Sequence, residues 1–415
     1  MAPTDVFNLN RQLTAWAQSF EHFVAMPSVP DAPRGRFGLF AEVTTSQTID
    51  SAEALEPILN NRRSRPQILL LGYELGMSWL RLPFKEPPRA QPLGLLIELG
   101  QYISLDGLNG HVAPHTEDNT WQHPPRQASA ASGGDVPPEW CPVSSDQTHT
   151  EGIETIHEAI KRGDIYQANL TRRFHIKGDL NAGELFNDLL TTNPVGHMAW
   201  LKTHGSEVLS NTMETLLEFD PHTRRLASFP IKGTQPRQDD DIDAPELALI
   251  PKERAEHIMI VDLIRNDLGR VCTPGSVHVP SLLGIEGYRG VWHGVSKVEG
   301  TLRPDATLYD AFAALFPGGS ITGAPKRKAV ETLCQIEHES RGFYTGSIAV
   351  IWPDNRVSAS ILIRTLVRDS EGWSFNVGGG IVIDSEPERE LIEIDEKSHA
   401  VKSAIERISG TSSSP

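Results

Sequence analysis

Four glutamates could hold a metal ion. Glu253 and Glu256 lie three residues apart in one segment of helical composition, and Glu390 and Glu393 lie three apart in another. An i, i+3 spacing places each pair on one face of a helix. Two such faces brought together would form an oxygen-rich site for a hard cation such as Mg²⁺. The alternative is that both pairs are ordinary solvated carboxylates on helix surfaces.

A lysine in an apolar segment is the second candidate. Lys232 lies in the sequence FPIKGTQPR, residues 229–237, where a Gly-Thr turn follows it. Burial favours the neutral amine, which is the nucleophilic form. The alternative is a lysine that extends from a strand end so that its ammonium stays in water.

Two glycine-rich segments could bring backbone N–H groups close to a substrate carboxylate. They read FPGGSITGAPK at residues 316–326 and VGGGIVIDS at residues 377–385. Neither has the Gly-Lys-Ser/Thr ending of a Walker A loop or the context of a dinucleotide-binding fingerprint. Ordinary turns are the alternative. No cysteine lies in a setting typical of a hydrolytic nucleophile, so we expect that this chain does not hydrolyse glutamine.

Composition excludes several classes of function. The chain has 415 residues and a net charge of −16, which argues against broad nucleic-acid binding. No apolar run is long enough for a membrane span, and the N-terminal residues lack the features of a secretory signal. The three cysteines have no metal-like spacing. We therefore expect a cytoplasmic protein that binds neither nucleic acid nor membrane.

The elements that must position these residues begin with an N-terminal region, 1–112. Its apolar segments 67–73 and 93–99 are typical of strands. Residues 113–147 are rich in Pro, Ser and Gly, which predicts a linker or long surface loop. A helical repeat of isoleucines follows and ends at Gly163. The segment 165–174 then predicts a strand.

Alternation along that strand places Gln167, Asn169 and Thr171 on one face. This polar face could meet either solvent or a cavity.

The remaining chain, 148–408, interleaves strands and helices without a regular βαβ rhythm, and residues 409–415 form a tail. We predict an α+β fold with large sheets and outer helices. The predicted strands are 208–219, 225–234, 358–367 and 374–383, and the predicted helices are 253–268 and 386–405.

Eight ordered blocks resemble the chorismate-utilising enzymes, the family that includes component I of anthranilate synthase, aminodeoxychorismate synthase, isochorismate synthase and salicylate synthase. They lie between about residues 150 and 405. They read GDIYQANLTRRF, FPIKGT, EHIMIVDLIRNDLGRV, VWHGVSKVEGTL, FPGGSITGAPKRKAVETL, RGFYTGSIAVI, ILIRTLV and GGGIVIDSEPERELIEIDEK. The resemblance implies the fold of anthranilate synthase component I, with large mixed sheets.

Within this family the chain is most similar to aminodeoxychorismate synthases. Those enzymes have PIKGT, with a lysine at the position of Lys232, whereas anthranilate synthases typically have PIAGT. Isochorismate and salicylate synthases use a lysine to activate water where this chain has Gln167. The resemblance therefore implies amination and disfavours attack by water.

The resemblance also implies roles for individual residues. Glu256 and Glu393 match the main Mg²⁺ ligands, with Glu253 and Glu390 beside them. Lys232 and Glu214 match catalytic residues. The residues that match substrate-binding groups are Gln167, Thr234, His293, Ser320, Tyr344, Arg364, Gly378, Gly380 and Lys397.

The implied reaction is Mg²⁺-dependent amination of chorismate to 4-amino-4-deoxychorismate, for 4-aminobenzoate and folate synthesis. A covalent adduct on Lys232 would be the intermediate, and a glutamine amidotransferase partner would supply ammonia. One departure affects Glu214: the family usually reads S-x-S-P-E-R where residues 210–215 read SNTMET. The alternatives are anthranilate synthase component I and a catalytically silent subunit that binds chorismate or a partner.

Overall fold

The computed structural model describes most of the chain. The described residues are 3–29, 37–61, 63–84, 91–106, 111–115, 138–236, 251–288 and 291–410. Most of the expected linker, 116–137, and the end of the expected tail, 411–415, lie outside them. No helix of the described part has the length and apolar character needed to cross a membrane.

The first part of the chain, up to Pro142, contains three helices and several strands that begin the sheet. In chain order the elements are α1 (Pro3–Ala17), β1 (Phe23–Met26), β2 (Phe37–Ile49), α2 (Leu55–Asn60), β3 (Gln67–Leu71), α3 (Tyr73–Trp79), β4 (Gly94–Asp106), β5 (His111–His115) and β6 (Glu139–Pro142). The predicted strand 67–73 ends two residues early, because Tyr73 begins α3.

The central part carries α4 and the strands around Lys232. Its elements are α4 (Asp146–Lys161), β7 (Gln167–Lys177), α5 (Ala182–Thr192), β8 (His197–Lys202), β9 (Glu207–Thr212), β10 (Thr215–Asp220), β11 (Arg225–Phe229), β12 (Ile231–Pro236) and α6 (Pro251–Gly269). Gly163, with φ +78°, follows α4 as the sequence predicted.

The C-terminal part completes the sheet and ends in the longest described helix. Its elements are β13 (His278–Tyr288), β14 (Val291–Thr301), α7 (Leu308–Leu315), a 3₁₀ turn (Gly319–Ile321), β15 (Gly323–Ala324), α8 (Lys326–Ile336), β16 (Ser347–Ile351), β17 (Val357–Ile361), β18 (Thr365–Asp369), β19 (Gly372–Ile381) and α9 (Pro387–Ile408).

The described strands form one continuous series of antiparallel pairings. One arm runs from β7 through β19, β18, β9, β8 and β1 to β2. The other runs from β2 through β4, β3, β16, β17, β10 and β11 to β14. Strands from the N-terminal region therefore lie between strands from the C-terminal part. The α+β architecture is confirmed.

Helices cover the sheet and bury its apolar faces. Helices α5 and α9 pack on each other and enclose one core that includes Phe186 and Phe375. Helices α6 and α7 enclose a second core that includes Phe312, and α8 packs on β7. Large fully buried side chains such as these stabilise the fold chiefly by removing apolar area from water.

Two predicted strands are each interrupted. The segment 208–219 divides into β9 and β10 at Met213–Glu214, and 358–367 divides into β17 and β18 at Leu362–Arg364. The two interruptions are hydrogen-bonded to each other. The N–H of Ile361 donates to the Glu214 carbonyl at 2.9 Å, and the N–H of Asn211 donates to the Arg364 carbonyl at 3.1 Å. The candidate residues Glu214 and Arg364 thus lie at adjoining irregularities of the ladder.

Candidate active site

Lys232 turns inward from β12. Its Nζ atom lies 3.5 Å from Oε2 of Glu256 on α6, and the two side chains are 19% and 15% exposed. Pro230 separates β11 from β12 because proline cannot donate a ladder hydrogen bond. The strand after it pairs Lys232 with Gly294 of β14. The ammonium therefore faces a carboxylate in a partly enclosed space rather than open water.

Gln167 and Gly380 adjoin this lysine. Strands β7 and β19 pair so that Gly380 lies opposite Asn169. A Cβ atom at Gly380 would collide with Nε2 of Gln167 and would lie 3.3 Å from Nζ of Lys232. Gln167 is 2% exposed, and its Oε1 atom accepts no hydrogen bond from the described residues. A buried amide oxygen of this kind is available to a ligand donor.

The polar face predicted for β7 divides between different contacts. Gln167 meets Gly380, whereas Thr171 donates to the Glu337 carboxylate through both its backbone N–H and its hydroxyl. Asn169 uses its carbonyl to accept a hydrogen bond from Arg341. Gln167 and Asn169 are buried, so the face does not meet solvent at those two positions.

Glu214 is a buried carboxyl group at the interruption between β9 and β10. It is 5% exposed, and its Oε1 atom accepts no hydrogen bond from the described residues. Burial raises the pKa of Glu214 to about 7, and a hydrogen bond with Ser320 and the charges of Lys232 and Lys397 oppose that rise. The group can therefore keep its proton close to neutral pH, as a general acid must.

Arg364 and Tyr344 are the two residues that the family resemblance assigned to a substrate carboxylate. Arg364 has φ +49°, and burial lowers the pKa of its guanidinium to about 10. Among the described residues it has no carboxylate partner within ion-pair distance. Tyr344 is 4% exposed, burial raises the pKa of its phenol, and the charge of Glu214 contributes to that rise. An unneutralised, partly buried guanidinium is suited to bind a substrate carboxylate.

His293 lies on β14, the strand that pairs with β12. It pairs with Thr234 in the β12–β14 ladder, is 2% exposed, and its Nδ1 atom lies 3.4 Å from the Gly233 carbonyl. The side chain of Thr234 lies outside the described residues.

Helix α9 brings Lys397 and two glutamates to the glycine run of β19. Nζ of Lys397 donates to the Gly378 carbonyl at 2.9 Å and lies 2.6 Å from Oε1 of Glu393. A Cβ atom at Gly379 would lie 2.9 Å from Oε2 of Glu390. Gly379 therefore allows the carboxylates of α9 to approach the strand. The sequence predicted Gly378 and Gly380 as site residues but missed Gly379, although it lies in the same GGG run.

The proposed metal ligands are only partly described. The side chain of Glu253 lies outside the described residues. Glu256 and Glu393 each contact a lysine, and within the described part of the chain no three acidic, histidine or cysteine side chains come close enough to hold a metal. The carboxylate oxygens fit a hard cation chemically. In this arrangement, lysine ammonium groups provide the positive charge.

Arg341 is a residue that the sequence reasoning missed. It is 3% exposed, its guanidinium forms two hydrogen bonds with the Glu337 carboxylate, and it donates to the carbonyls of Ile321 and Asn169. These bonds join β7 to the 3₁₀ turn that carries Ser320. The RGFYTG block contains the signal, because a charged residue beside buried aromatic residues must have a partner.

Glu74 ties the N-terminal region to the same network. Its carboxyl group accepts hydrogen bonds from the backbone N–H groups of Arg341, at 2.6 Å, and Gly342, at 3.1 Å. Burial raises the pKa of Glu74 to about 7. Through the block LLLGYELG, the N-terminal region therefore contacts Arg341, which joins β7 to the turn that carries Ser320.

Comparison with known proteins shows which family the sequence matches. The family model for chorismate binding enzymes matches residues 16–403. An anthranilate synthase component 1 of Haloarcula marismortui is 41% identical over 303 residues, which cover 70% of this chain and 62% of that protein. An anthranilate synthase component I-like protein of Synechocystis is 35% identical over 356 residues, covering 81% of this chain and 72% of that protein. The chain thus spans about three-fifths of the length of the first relative.

Solved structures share the fold. Anthranilate synthase component I from Streptococcus pneumoniae superposes with a TM-score of 0.76 at 24% identity, covering 88% of this chain and 92% of that chain. The menaquinone-specific isochorismate synthase of Escherichia coli gives 0.73 at 16% identity, covering 95% and 91%. The fold and the matched residues together define the class: this chain belongs to the chorismate-binding enzyme family.

Proposed function

We propose that this chain aminates chorismate with ammonia to give 4-amino-4-deoxychorismate. The observation that carries the proposal is the inward position of Lys232, 3.5 Å from Glu256 and beside the glycine run of β19. The PIKGT segment adds support, because it resembles aminodeoxychorismate synthases rather than the PIAGT of anthranilate synthases.

In the proposed first step, the amine of Lys232 forms a bond to ring carbon 2 of chorismate. The two conjugated ring double bonds shift, from C1=C2 and C5=C6 to C1=C6 and C4=C5, and the bond between carbon 4 and its hydroxyl breaks. Glu214 gives its proton to the departing oxygen, which leaves as water. The lysine must be neutral to attack, so its ammonium first gives a proton to solvent, which ends its ion pair with Glu256.

In the second step, ammonia forms a bond to carbon 4, both ring double bonds shift back to C1=C2 and C5=C6, and the bond between carbon 2 and Lys232 breaks. Glu214, now ionised, takes up the proton released by the new amine. The sum is chorismate plus ammonia to 4-amino-4-deoxychorismate plus water, and both residues return to their starting states.

The substrate's two carboxylates would be held at separate places. Arg364 and Tyr344 would bind the enolpyruvyl carboxylate, and Lys397 and the backbone of Gly378 and Gly380 the ring carboxylate. Gln167, His293, Ser320 and Thr234 would contact the ring.

Magnesium would be held by Glu256 and Glu393, with Glu253 and Glu390 beside them. When bound, Mg²⁺ would offset the negative charge of the ring carboxylate. Glutamine hydrolysis in a separate amidotransferase would supply ammonia, and the product would serve 4-aminobenzoate and folate synthesis.

The second candidate is anthranilate synthase component I. The names of the relatives favour it, since those at 41% and 39% identity are both anthranilate synthase components. That reaction would also begin with chorismate and ammonia but would give anthranilate and pyruvate. The two candidates thus differ in product and in any need for Lys232.

Product identification separates the candidates. Purified protein is incubated with chorismate, Mg²⁺ and ammonium salt, and the products are identified by mass spectrometry. We expect 4-amino-4-deoxychorismate from the wild type, none from Lys232→Ala, and normal activity from the control Lys161→Ala, whose side chain is 60% exposed. Anthranilate with pyruvate would establish the second candidate. Chorismate binding without turnover at saturating ammonium would indicate a silent subunit.

A further inference from the structure

A small cavity lies beside Glu214. It is enclosed by β10, β11, α6 and the turn that carries Ser320, and we call it the Glu214 cavity. Its lining residues are Glu214, Thr215, Leu216, Ser228, Pro230, Ile264, Leu315, Gly318, Gly319, Ser320 and Ile361. Its volume of about 10 Å³ is that of a single water-sized molecule.

The cavity is apart from the other candidate groups. Lys232, Gln167, His293, Tyr344 and Arg364 do not line it, whereas Glu214 and Ser320 do. Of the two residues proposed to act on the ring, the carboxyl group of Glu214 lines the cavity and Lys232 does not.

Its wall is apolar apart from a few groups. Leu216, Ile264, Leu315 and Ile361 contribute hydrocarbon, and the hydroxyl of Thr215 is bonded to His197 at 2.7 Å. The Oε1 atom of Glu214 is buried without a hydrogen bond from the described residues, and Ser228, 4% exposed, contributes a second polar group. A buried carboxyl oxygen without a partner is costly unless a small molecule bonds to it.

We propose that the Glu214 cavity is a holding site for one neutral ammonia molecule, which hydrogen-bonds to the Glu214 carboxylate after that group has given up its proton and is then delivered to carbon 4. This inference rests on the proposed function. Ammonia fits the size, and its N–H groups suit the Glu214 oxygen. A volume for one water-sized molecule leaves no room for an ion with its hydration shell. Water has the same size and hydrogen-bonding character, so the experiment must separate the two occupants.

The test fills the cavity and measures each substrate separately. Ser228→Val adds bulk at a strand position that tolerates a β-branched side chain. We expect the KM for ammonium to rise about tenfold or more, as for loss of a small, well-fitted contact. The KM for chorismate should stay within about twofold, because Ser228 is not among its proposed ligands. Ser358→Val on β17, outside the cavity lining, is the matched control.

An unchanged KM for ammonium in a folded Ser228→Val variant would show that the cavity holds only water or nothing. An equal rise in both KM values would also overturn the proposal, because it would indicate a general disturbance. Ser228→Thr, which adds one methyl group and keeps the hydroxyl, replaces the first variant if that one does not fold. The wild type distinguishes failure of this proposal from failure of the proposed function. If the proposed function is wrong, the wild type gives no 4-amino-4-deoxychorismate at any ammonium concentration.

Discussion

Nζ of Lys232 and Oε2 of Glu256 lie 3.5 Å apart, so the proposed nucleophile and a proposed metal ligand form one ion pair. Lys397 and Glu393 repeat this arrangement on α9, at 2.6 Å. Each of the two main carboxylates proposed for Mg²⁺ thus already holds a cation. Metal binding and release of the lysine amine are therefore expected to be coupled.

This coupling predicts the behaviour of Glu256→Gln. The amide removes a negatively charged ligand, so more Mg²⁺ should be needed for half-maximal activity, by at least about tenfold. Magnesium titration of the steady-state rate measures this. Asp262→Asn on the same helix, whose side chain is 72% exposed, should leave the titration unchanged. Equal magnesium dependence in both variants would contradict the assignment.

Substitution of Glu214 tests the general acid. Glu214→Gln cannot supply a proton to the departing hydroxyl, and the rate should fall by about 10²- to 10⁴-fold. Glu218→Gln on the same strand is the control. Retention of more than about a tenth of the wild-type rate by Glu214→Gln would be incompatible with the role.

The pH dependence of activity follows from the same group. Burial raises the pKa of Glu214 to about 7, and only the protonated form can donate. In the wild type, kcat/KM should therefore decline as the pH rises above about 7 because the carboxyl group ionises. A rate profile between pH 5 and 9, recorded at saturating Mg²⁺ and at a constant concentration of free ammonia, measures this limb. Persistence of the same decline in Glu214→Gln would exclude Glu214 as its source.

A steric prediction concerns Gly380. In Gly380→Ala the new methyl group would collide with the Gln167 side chain and crowd Lys232, so activity should fall about a hundredfold or more, as misplacement of a reacting group by about 1 Å does. Gly205→Ala is the control, because nothing lies within 4 Å of its Cβ position. The collision should also lower the thermal stability of Gly380→Ala. If the collision is the cause, Gln167→Ala in the same chain should restore much of that stability, measured by thermal unfolding.

The buried carboxyl group of Glu74 predicts how stability depends on pH. Burial raises its pKa to about 7, so the folded chain holds a proton that the unfolded chain releases near pH 4.5. Its contribution to stability is present below about pH 4.5 and is lost as the pH rises through about 7. Between these values Glu74→Gln should lose less stability than the wild type, by up to about 3 kcal/mol. Denaturant unfolding at several pH values tests this, with the exposed Glu56→Gln as control. Parallel stability curves for all three proteins would contradict it.

The sequence predicted several of the regular elements, among them β7, β19, α6 and α9, because apolar periodicity directly reflects which face of an element is buried. It could not predict the interruptions at Glu214 and Arg364. Those breaks arise where β9, β10, β17 and β18 meet, and pairing between distant strands leaves no local signal.

The candidate site was predicted unevenly for a similar reason. Lys232, Glu214 and the glycine run belong to blocks that resemble a known family, and the structure brings them together. Arg341 and Glu74 act through contacts between segments 267 residues apart, which no local pattern reveals. The domain division predicted from composition, and the roles of the site residues, stay predictions.

The position of β3 has a consequence for biosynthesis. This strand hydrogen-bonds β4 on one edge and β16 on the other, so residues made early wait for residues made almost three hundred positions later. Ladders with such long sequence separation form slowly, and the nascent chain exposes unpaired strand edges until they do. We expect the newly synthesised protein to depend on chaperones. Fragments ending before β16 should accumulate as insoluble material.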